Sequence, residues 1–149
     1  MTYMENVLHE TLRKYPPVPL LNRRCTQDYT IPNTNIRLER GVDVAIPVLG
    51  IHTDPEYYPN PEIFDPDRFS EENKNTRPAF TWLPFGEGPR VCIGLRFGML
   101  QSKVGLTTLL KNYKITLSKK TKVPLRLDKN VFVTTAEGGI WLDVKKIEY

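Results

Sequence analysis

Residues 85–94 have the types and spacing that could bind a metal ion through sulfur. The segment reads Phe85-Gly86-Glu87-Gly88-Pro89-Arg90-Val91-Cys92-Ile93-Gly94. It predicts a tight loop that places one cysteine, Cys92, just before an apolar helix. A thiol at a helix N-terminus lies at the positive end of the helix dipole, among N–H groups that have no helical partner. Both effects favour the thiolate, which is the form that binds metals.

The neighbours of Cys92 suit a flat ligand that carries carboxylates. Arg90 lies two residues before the cysteine, and its guanidinium can hold a carboxylate with two hydrogen bonds. Gly88 and Gly94 lack a Cβ atom, so a flat ligand or the amides of the loop itself can approach closely. A lone cysteine is more often a buried free thiol. The pattern F-x-x-G-x-R-x-C-x-G has five fixed residues, however, and chance recurrence is improbable in a chain of 149 residues.

Two long helices are predicted around this loop. Apolar residues recur with helical spacing from Met4 and predict an amphipathic helix over Thr2 to Tyr15, which Pro16 and Pro17 end. A second helix is predicted over residues 95–113, with its N-terminus at the cysteine. Its apolar residues cover most of the circumference, so we expect it to be largely buried.

The remainder of the chain predicts short strands and irregular segments, and therefore an α+β fold. One small antiparallel sheet is expected between residues 28 and 49, with strands at 29–31, 36–38 and 42–49. Later strands are expected at 114–117, 125–127, 131–134 and 140–144, with a turn at Gly138-Gly139. Eight of the 13 prolines lie between Pro47 and Pro89, which predicts irregular chain there. Residues 70–76 are polar and predict an exposed loop.

A charged pair lies on the first helix. Glu10 and Arg13 are three residues apart, which by itself indicates a surface ion pair worth a few tenths of a kcal/mol. A second arginine follows far downstream, in Pro66-Asp67-Arg68-Phe69.

These three motifs together resemble one protein family. E-x-x-R, P-x-R-F and the cysteine loop occur in the order and at the spacing of the cytochrome P-450 superfamily, the haem-thiolate monooxygenases. The resemblance covers the whole chain and is greatest to insect microsomal members that oxidise xenobiotics. It implies the C-terminal portion of the cytochrome P-450 fold, with two long helices, small antiparallel sheets, a proline-rich meander and the cysteine haem loop.

The resemblance implies that haem b is the cofactor and that Cys92 is the axial ligand of its iron. Arg90 and Arg23 would bind the haem propionates. Arg24 is the competing candidate for the role of Arg23, and we expect it to point away. Phe85 would shield the sulfur from water.

The remaining cofactor-binding residues implied by the resemblance are small or apolar. Gly86 and Gly88 belong to this group. The amides of Ile93 and Gly94 would donate weak hydrogen bonds to the sulfur.

The resemblance also assigns roles outside the loop. Glu10, Arg13 and Arg68 would form a buried structural network that is costly to break singly. A substrate pocket would include Val18, Pro19 and Leu20, although an ordinary core role for these three stays open. Thr134 would lie near the same pocket, in a segment that has no motif of its own.

Three further side chains have simpler interpretations. His52 is expected to be a hydrogen-bonded structural histidine, not a ligand, with a position beside the haem as the open alternative. His9 is expected to face solvent. Cys25 is expected to be a small buried hydrophobic residue. With two cysteines in unlike contexts and no CxxC pair, the chain predicts no disulfide framework and a reducing compartment.

Composition and charge limit the function classes. No signal peptide and no apolar run of about 18 residues are visible, so nothing in the chain is expected to span a membrane. Residues 1–94 hold 10 basic and 13 acidic residues, whereas residues 95–149 hold 11 and 4. The basic part indicates an acidic partner or an anionic surface, or only solvated lysines. No nucleic-acid motif accompanies it, and we predict no nucleic-acid partner.

By resemblance, residues 1–149 are a partial single domain, since related full-length proteins are much longer. The membrane anchor and the central helix that handles protons for O₂ would lie upstream. The full-length protein would lie on the cytosolic face of the endoplasmic reticulum membrane. An NADPH-dependent flavoprotein reductase, with cytochrome b5 as a second electron donor, would supply electrons. Arg96 and Lys103 would contact the reductase or form a solvated face.

The predicted activity is therefore insertion of one oxygen atom from O₂ into a small lipophilic substrate. The full-length protein would perform it, and this chain alone is expected to be inactive. Two alternatives stay open. One is a haem-thiolate binding or sensor module without oxygen chemistry, and the other is a basic interaction domain in which Cys92 holds no haem.

Overall fold

The computed structural model describes residues 2–74 and 76–148. Four α-helices are described: α1 at Thr2–Lys14, α2 at Val48–His52, α3 at Glu71–Lys74 and α4 at Leu95–Asn112. Six strands are described: β1 at Leu21–Arg24, β2 at Tyr29–Thr30, β3 at Arg37–Leu38, β4 at Asp43–Ile46, β5 at Tyr113–Leu117 and β6 at Leu142–Lys146. Two 3₁₀ turns lie at Pro66–Phe69 and Gly88–Arg90. This mixture of helices and small antiparallel sheets confirms the predicted class.

Helix α1 agrees with its prediction to within one residue. It ends at Lys14, shortly before the two prolines, which cannot continue a helix. Its inner face is mostly polar, because Asn6, Glu10 and Arg13 are buried beside Leu8. This face packs on the 3₁₀ turn at Pro66–Phe69 and on α2.

The strands between residues 21 and 46 form two separate ribbons. β2 pairs with β3, as predicted, with Tyr29 opposite Leu38. β4 pairs instead with β1, from Leu21 opposite Ile46 to Arg24 opposite Asp43. The prediction of one sheet over residues 28–49 is therefore wrong. The strand predicted to reach residue 49 also ends early, because Pro47 has no N–H for a ladder and α2 follows at once.

The C-terminal part contains one hairpin-like ladder, in which β5 pairs with β6. The strands predicted at 125–127 and 131–134 are wrong: within the described ranges this segment shows only a single bridge, Leu127 to Ala136. The turn at Gly138-Gly139 is present, with φ angles of +80° and +76°. The last strand starts two residues late. The Trp141 amide donates to Thr121 Oγ1 at 2.7 Å, so this residue is engaged outside the ladder.

Two further segments differ from their predictions. Residues 71–74 form the short helix α3 where a loop is predicted, although none of its residues is buried, as expected; residue 75 of that loop lies outside the described residues. Helix α4 is also less covered than predicted, since Met99 is its one buried residue. Phe97, Leu100 and Val104 are 70%, 59% and 57% exposed. No element among the described residues covers this face, so the prediction of a largely buried helix is wrong here.

The small core lies between α1 and the proline-rich segment. Its most buried side chains include Tyr58, Val48 and His52, together with the charged pair of Glu10 and Arg13. Residues 2–74 and 76–148 contain no helix that is long and apolar enough to cross a membrane.

Candidate cofactor-binding site

The cysteine loop is held by three backbone hydrogen bonds. Gly86 N–H donates to Leu83 O at 3.1 Å, and Val91 N–H donates to Gly88 O at 3.0 Å. The third bond closes the loop, from Cys92 N–H to Phe85 O at 2.9 Å. Gly86 and Gly88 have φ angles of +71° and +74°, which other residue types rarely adopt. The two glycines are therefore required by the shape of the loop.

Cys92 lies directly before α4 and is exposed. Its carbonyl accepts from Leu95 N–H at 3.3 Å, which leads the chain into the helix. Gly94 is the N-cap residue and has no side chain to cap the first turn. A Cβ atom at Gly94 would stand 3.9 Å from the Cys92 sulfur. The loop, the thiol and the helix N-terminus thus occur in the predicted arrangement.

Several exposed residues close to Cys92 in the chain are apolar. Ile93 is fully exposed at 105% of its reference area, and Val91 and Phe97 are also exposed. Exposed apolar residues beside a soft sulfur donor form the kind of surface that contacts an apolar ligand. These residues therefore fit a flat macrocycle bound through iron. Phe85 is half-buried, with its ring edge-on to Trp82 at 6.2 Å.

Of the two arginines in β1, Arg23 lies at the cysteine loop. Its Nη2 atom is 3.7 Å from the position that a Cβ of Gly86 would occupy, and the Arg90 carbonyl oxygen is 3.8 Å from the same position. A Cβ would be in ordinary van der Waals contact with both atoms, so the positive φ angle of Gly86, and not lack of space, favours glycine there. The Arg90 side chain is exposed. Arg24 is also exposed and makes an ion pair with Asp43 at 2.7 Å, as expected for a side chain directed elsewhere.

Glu10 and Arg13 form an ion pair in the core, with neither side chain exposed to solvent. Arg13 donates to both Glu10 oxygens, at 2.7 and 2.8 Å. It also donates to the carbonyls of His52 and Pro61, each at 2.8 Å. A surface ion pair is thus excluded. Removal of one partner would leave a buried charge unpaired, at a cost of about 3–5 kcal/mol.

Arg68 joins this pair from the 3₁₀ turn. Its Nε atom is 3.6 Å from Glu10 Oε1, which is an ionic contact but too long for a hydrogen bond. That nitrogen is buried without a hydrogen-bond partner among the described residues. Its Nη2 atom donates to Asn60 O at 3.0 Å. The structure therefore brings the three charged residues together, with Arg68 held less tightly.

His52 is fully buried and hydrogen-bonded through both ring nitrogens. Nδ1 lies 3.0 Å from Arg13 O, and Nε2 accepts from Leu83 N–H at 2.8 Å. Burial lowers the pKa of His52 from 6.5 to about 4, with the Arg13 and Arg77 charges acting in the same direction. The ring is neutral at pH 7. These contacts match the interpretation of a structural histidine.

His9 does not face solvent, and that prediction is wrong. Its ring is stacked on Phe69 at 5.4 Å and edge-on to Trp82 at 4.6 Å. Burial lowers its pKa. Cys25 is also not the buried residue expected: it is partly exposed, with Sγ 2.9 Å from Gln27 O.

Arg77 is a structural residue that sequence reasoning missed. Its guanidinium lies 4.4 Å from the centre of the Phe69 ring and 5.7 Å from that of Tyr58. Burial lowers its pKa. No pattern of local spacing links these three residues, because the fold alone brings them together.

The residues predicted for a substrate pocket lie on neighbouring segments. Val18, Pro19 and Leu20 are half-buried. Thr134 N–H donates to Pro17 O at 3.0 Å, which holds the C-terminal loop against this segment. A cavity of about 130 Å³ opens beside it, and its lining includes Tyr15, Leu125, Leu127, Thr134 and Ile140.

The two cations proposed for partner contact differ in position. Lys103 makes an ion pair with Glu5 at 3.1 Å and is therefore engaged within the chain. The bond to Lys103 lowers the pKa of Glu5. Arg96, in the first turn of α4, is exposed. The described part of the chain contains no cluster of three or more metal-binding side chains.

Comparison with known proteins identifies the family. The family model for Cytochrome P450 matches residues 1–142. Probable cytochrome P450 6a14 of Drosophila melanogaster is 51% identical over 147 residues, which is 99% of this chain and 29% of that protein. Cytochrome P450 6k1 of Blattella germanica is 51% identical over 98% of this chain and 28% of its own length. Cytochrome P450 9e2 of the same insect is 46% identical, again over 98% and 28%.

These similarities extend over nearly the whole chain, and the chain spans less than a third of each relative named. The resemblance inferred from the three motifs, including its insect character, is confirmed. The chain belongs to the cytochrome P450 family.

Proposed function

We propose that this chain is the haem-binding part of a haem-dependent monooxygenase. The reaction inserts one oxygen atom of O₂ into a small lipophilic substrate, with electrons from NADPH delivered by a flavoprotein reductase. The observation that carries this proposal is the exposed Cys92 thiol, which lies at the N-terminus of α4 and is flanked by exposed apolar residues. Family membership supports it. The proposal concerns a protein of the relatives' length.

Residues of the cysteine loop and of β1 would each make a different contact with haem b. Cys92 would bind the iron, and the haem, when bound, supplies the activation of O₂. Arg23 would hold a propionate from β1, and Arg90 another from the loop. The amides of Ile93 and Gly94 would face the sulfur and reduce its charge.

Other residues shape the site and exclude water. Gly86 and Gly88 give the loop its shape, through backbone angles that only glycine adopts readily. The Phe85 ring would shield the sulfur on one side. Ile93 and Phe97 would lose their large exposed surfaces against the macrocycle, which favours binding through the hydrophobic effect.

The substrate and the partners belong to the same proposal. Val18, Pro19, Leu20 and Thr134 would line one side of an apolar pocket, supported by the hydrogen bond from Thr134 to Pro17. Exposed Arg96 suits an acidic reductase surface, and cytochrome b5 would approach the same side. The protein would act at the cytosolic face of the endoplasmic reticulum, without nucleic acid, and be anchored to the membrane by sequence outside this chain.

The ligand role of Cys92 is tested by the spectrum of the CO-bound ferrous protein. Haem is added to the 149-residue chain, and a thiolate ligand shifts the Soret band far to the red. We expect this band in the wild-type chain and in Cys25→Ser, the matched control. We expect its complete loss in Cys92→Ala. If the band persists in Cys92→Ala, the haem-thiolate assignment is wrong.

The alternative, a haem-thiolate sensor without oxygen chemistry, uses the same ligand and gives the same spectrum. Product formation with reductase and NADPH separates the two, since a sensor consumes no substrate.

A further inference from the structure

A pair of reciprocal contacts joins α1 to the end of α2. Arg13 donates from Nη1 to His52 O at 2.8 Å, and Nδ1 of His52 lies 3.0 Å from Arg13 O. Both residues are fully buried. The ring is thus held by the backbone carbonyl of Arg13, while the Arg13 side chain, which is also bonded to Glu10, holds the backbone of His52.

The second ring nitrogen of His52 reaches the segment that leads into the cysteine loop. Nε2 accepts a hydrogen bond from Leu83 N–H at 2.8 Å. A backbone N–H can only donate, so Nε2 must be the unprotonated nitrogen and Nδ1 must carry the hydrogen. Nδ1 then donates to Arg13 O. The His52 ring therefore has one defined tautomer and joins Arg13 on α1 to Leu83 before the cysteine loop.

Leu83 is connected in turn to the cysteine loop by a backbone hydrogen bond. Its carbonyl accepts from Gly86 N–H at 3.1 Å, and two residues later Phe85 O accepts from Cys92 N–H at 2.9 Å. A short series of hydrogen bonds therefore links the Arg13 carbonyl on α1, through the His52 ring, to the backbone of the cysteine loop. Leu83 is itself buried, so its N–H would be costly to leave without an acceptor.

We propose that His52 is a positioning residue for the cysteine loop. Through its hydrogen bond with the Leu83 amide, His52 holds Cys92 in place relative to α1. The inference deepens the proposed function and depends on it only in treating Cys92 as the haem ligand. The geometry argues against a role as simple filler. A side chain that only fills space needs the right volume and no specific hydrogen bonds. His52 instead uses Nδ1 to bond to α1 and Nε2 to bond to the segment before the cysteine loop.

The surroundings of His52 keep its acceptor available. Arg13 and Arg77 are the charged groups that act on it, and the Tyr58 ring lies edge-on at 6.2 Å. Burial, which has the largest effect, and the two nearby cations disfavour a protonated ring, and together they outweigh the hydrogen bond to Arg13 O, which favours it. The lone pair that accepts from Leu83 is therefore retained at neutral pH.

Three variants of His52 distinguish a positioning role from a role in which the side chain only fills space. In His52→Gln the amide oxygen extends to about the place of Nε2 and can still accept from Leu83. In His52→Asn the shorter amide reaches about the place of Nδ1 and can contact only Arg13 O. His52→Leu keeps the bulk and loses both bonds.

The first measurement is amide hydrogen exchange in the 149-residue chain without haem. We expect exchange at Leu83 and Cys92 to be about tenfold faster in His52→Asn and His52→Leu than in the wild type, the loss expected for one buried hydrogen bond. In His52→Gln both rates should stay within about threefold of the wild type. The amide of Thr116, which lies opposite Asp143 at a hydrogen-bonded position of the β5–β6 ladder, is the internal reference and should not change.

The second measurement is the CO-bound ferrous spectrum of the haem-loaded chain. The fraction with the thiolate-type Soret band should fall in His52→Asn and His52→Leu and recover in His52→Gln. The inference is overturned if Gln behaves like Asn in amide exchange, if no variant differs from the wild type, or if exchange at Thr116 accelerates as much as at Leu83. If the band persists in Cys92→Ala, the proposed function fails, and the exchange rates still decide the role of His52.

Discussion

Burial gives several residues of this chain a role that their residue type alone does not predict. Glu10 and Arg13 have the spacing of an ordinary surface ion pair, yet both are fully enclosed. Their charges are tolerated because Arg13 also donates to the carbonyls of His52 and Pro61. The same enclosure keeps His52 neutral. Buried groups of this kind make the stability of the fold depend on pH.

We expect acid to destabilise the chain through His52. Its pKa is lowered from 6.5 to about 4 in the folded state, so the unfolded state binds the proton first as pH falls. Stability is therefore complete above about pH 6.5 and decreases down to about pH 4, by about 3 kcal/mol in total. Urea unfolding midpoints measured at several pH values across this range check the loss.

His52→Gln is the control for that titration, because glutamine has no ionisable group. Its unfolding midpoint should depend less on pH, with a residual slope from His9, whose pKa is also lowered by burial. An equal slope in the variant and the wild type would show that His52 does not cause the acid sensitivity.

Helix α4 shows how an element depends on what surrounds it. Its apolar residues cover more than one face, which predicts burial. In this chain Met99 is buried, whereas Phe97, Leu100 and Val104 are exposed. Its N-terminus nevertheless begins directly after the cysteine loop, where Leu95 N–H donates to Cys92 O and Gly98 N–H donates to Gly94 O. These hydrogen bonds are local and need no distant element. The exposed face is an aggregation hazard.

We expect the double substitution Leu100→Gln and Val104→Gln to improve solubility without loss of structure. Both side chains are exposed, so the effect on stability should stay within about 0.5 kcal/mol. Light scattering should show less aggregate, and circular dichroism should show the same helix content. Met99→Ala is the contrasting control: this side chain is buried, and its truncation should cost about 2 kcal/mol or more. If the double variant loses as much stability as Met99→Ala, this face is packed in solution.

At the scale of the whole molecule, the chain spans less than a third of its relatives' length. The core is small, and its densest part surrounds the Glu10–Arg13 pair. Much of the apolar surface near Cys92 is exposed. The geometry thus supplies a thiol, a loop and its supports on one side of a site. A monooxygenase also needs groups on the opposite side of the macrocycle to exclude water and deliver protons.

We expect the 149-residue chain alone to give no product with haem, reductase and NADPH. A chimera offers the comparison: this chain replaces the matching 146 residues of Cytochrome P450 6k1 of Blattella germanica. The chimera should show the red-shifted Soret band and oxidise a lipophilic test substrate, as judged by product analysis. Cys92→Ala within the chimera should abolish product. Turnover by the isolated chain, or a spectrally intact chimera that forms no product with any substrate of its parent, would contradict the proposed function.

The sequence by itself determined the features that depend on local spacing. The loop from Phe85 to Gly94 is shaped by glycines at positive φ, and both long helices follow from apolar periodicity and from prolines that end α1. These properties involve neighbours within a few residues along the chain. The three motifs were therefore sufficient to identify the family.

Only the tertiary structure decided which distant groups meet. Strand β4 pairs with β1 and not with its neighbour β3, and His9 lies between Phe69 and Trp82. His52 binds Arg13 on one side and Leu83 on the other, across 39 and 31 residues of sequence. Burial and hydrogen bonding of this kind depend on partners that local spacing does not specify. For that reason the cysteine loop could be recognised from sequence, whereas His52 could be read only as a structural histidine and its partners, Arg13 and Leu83, could not be predicted.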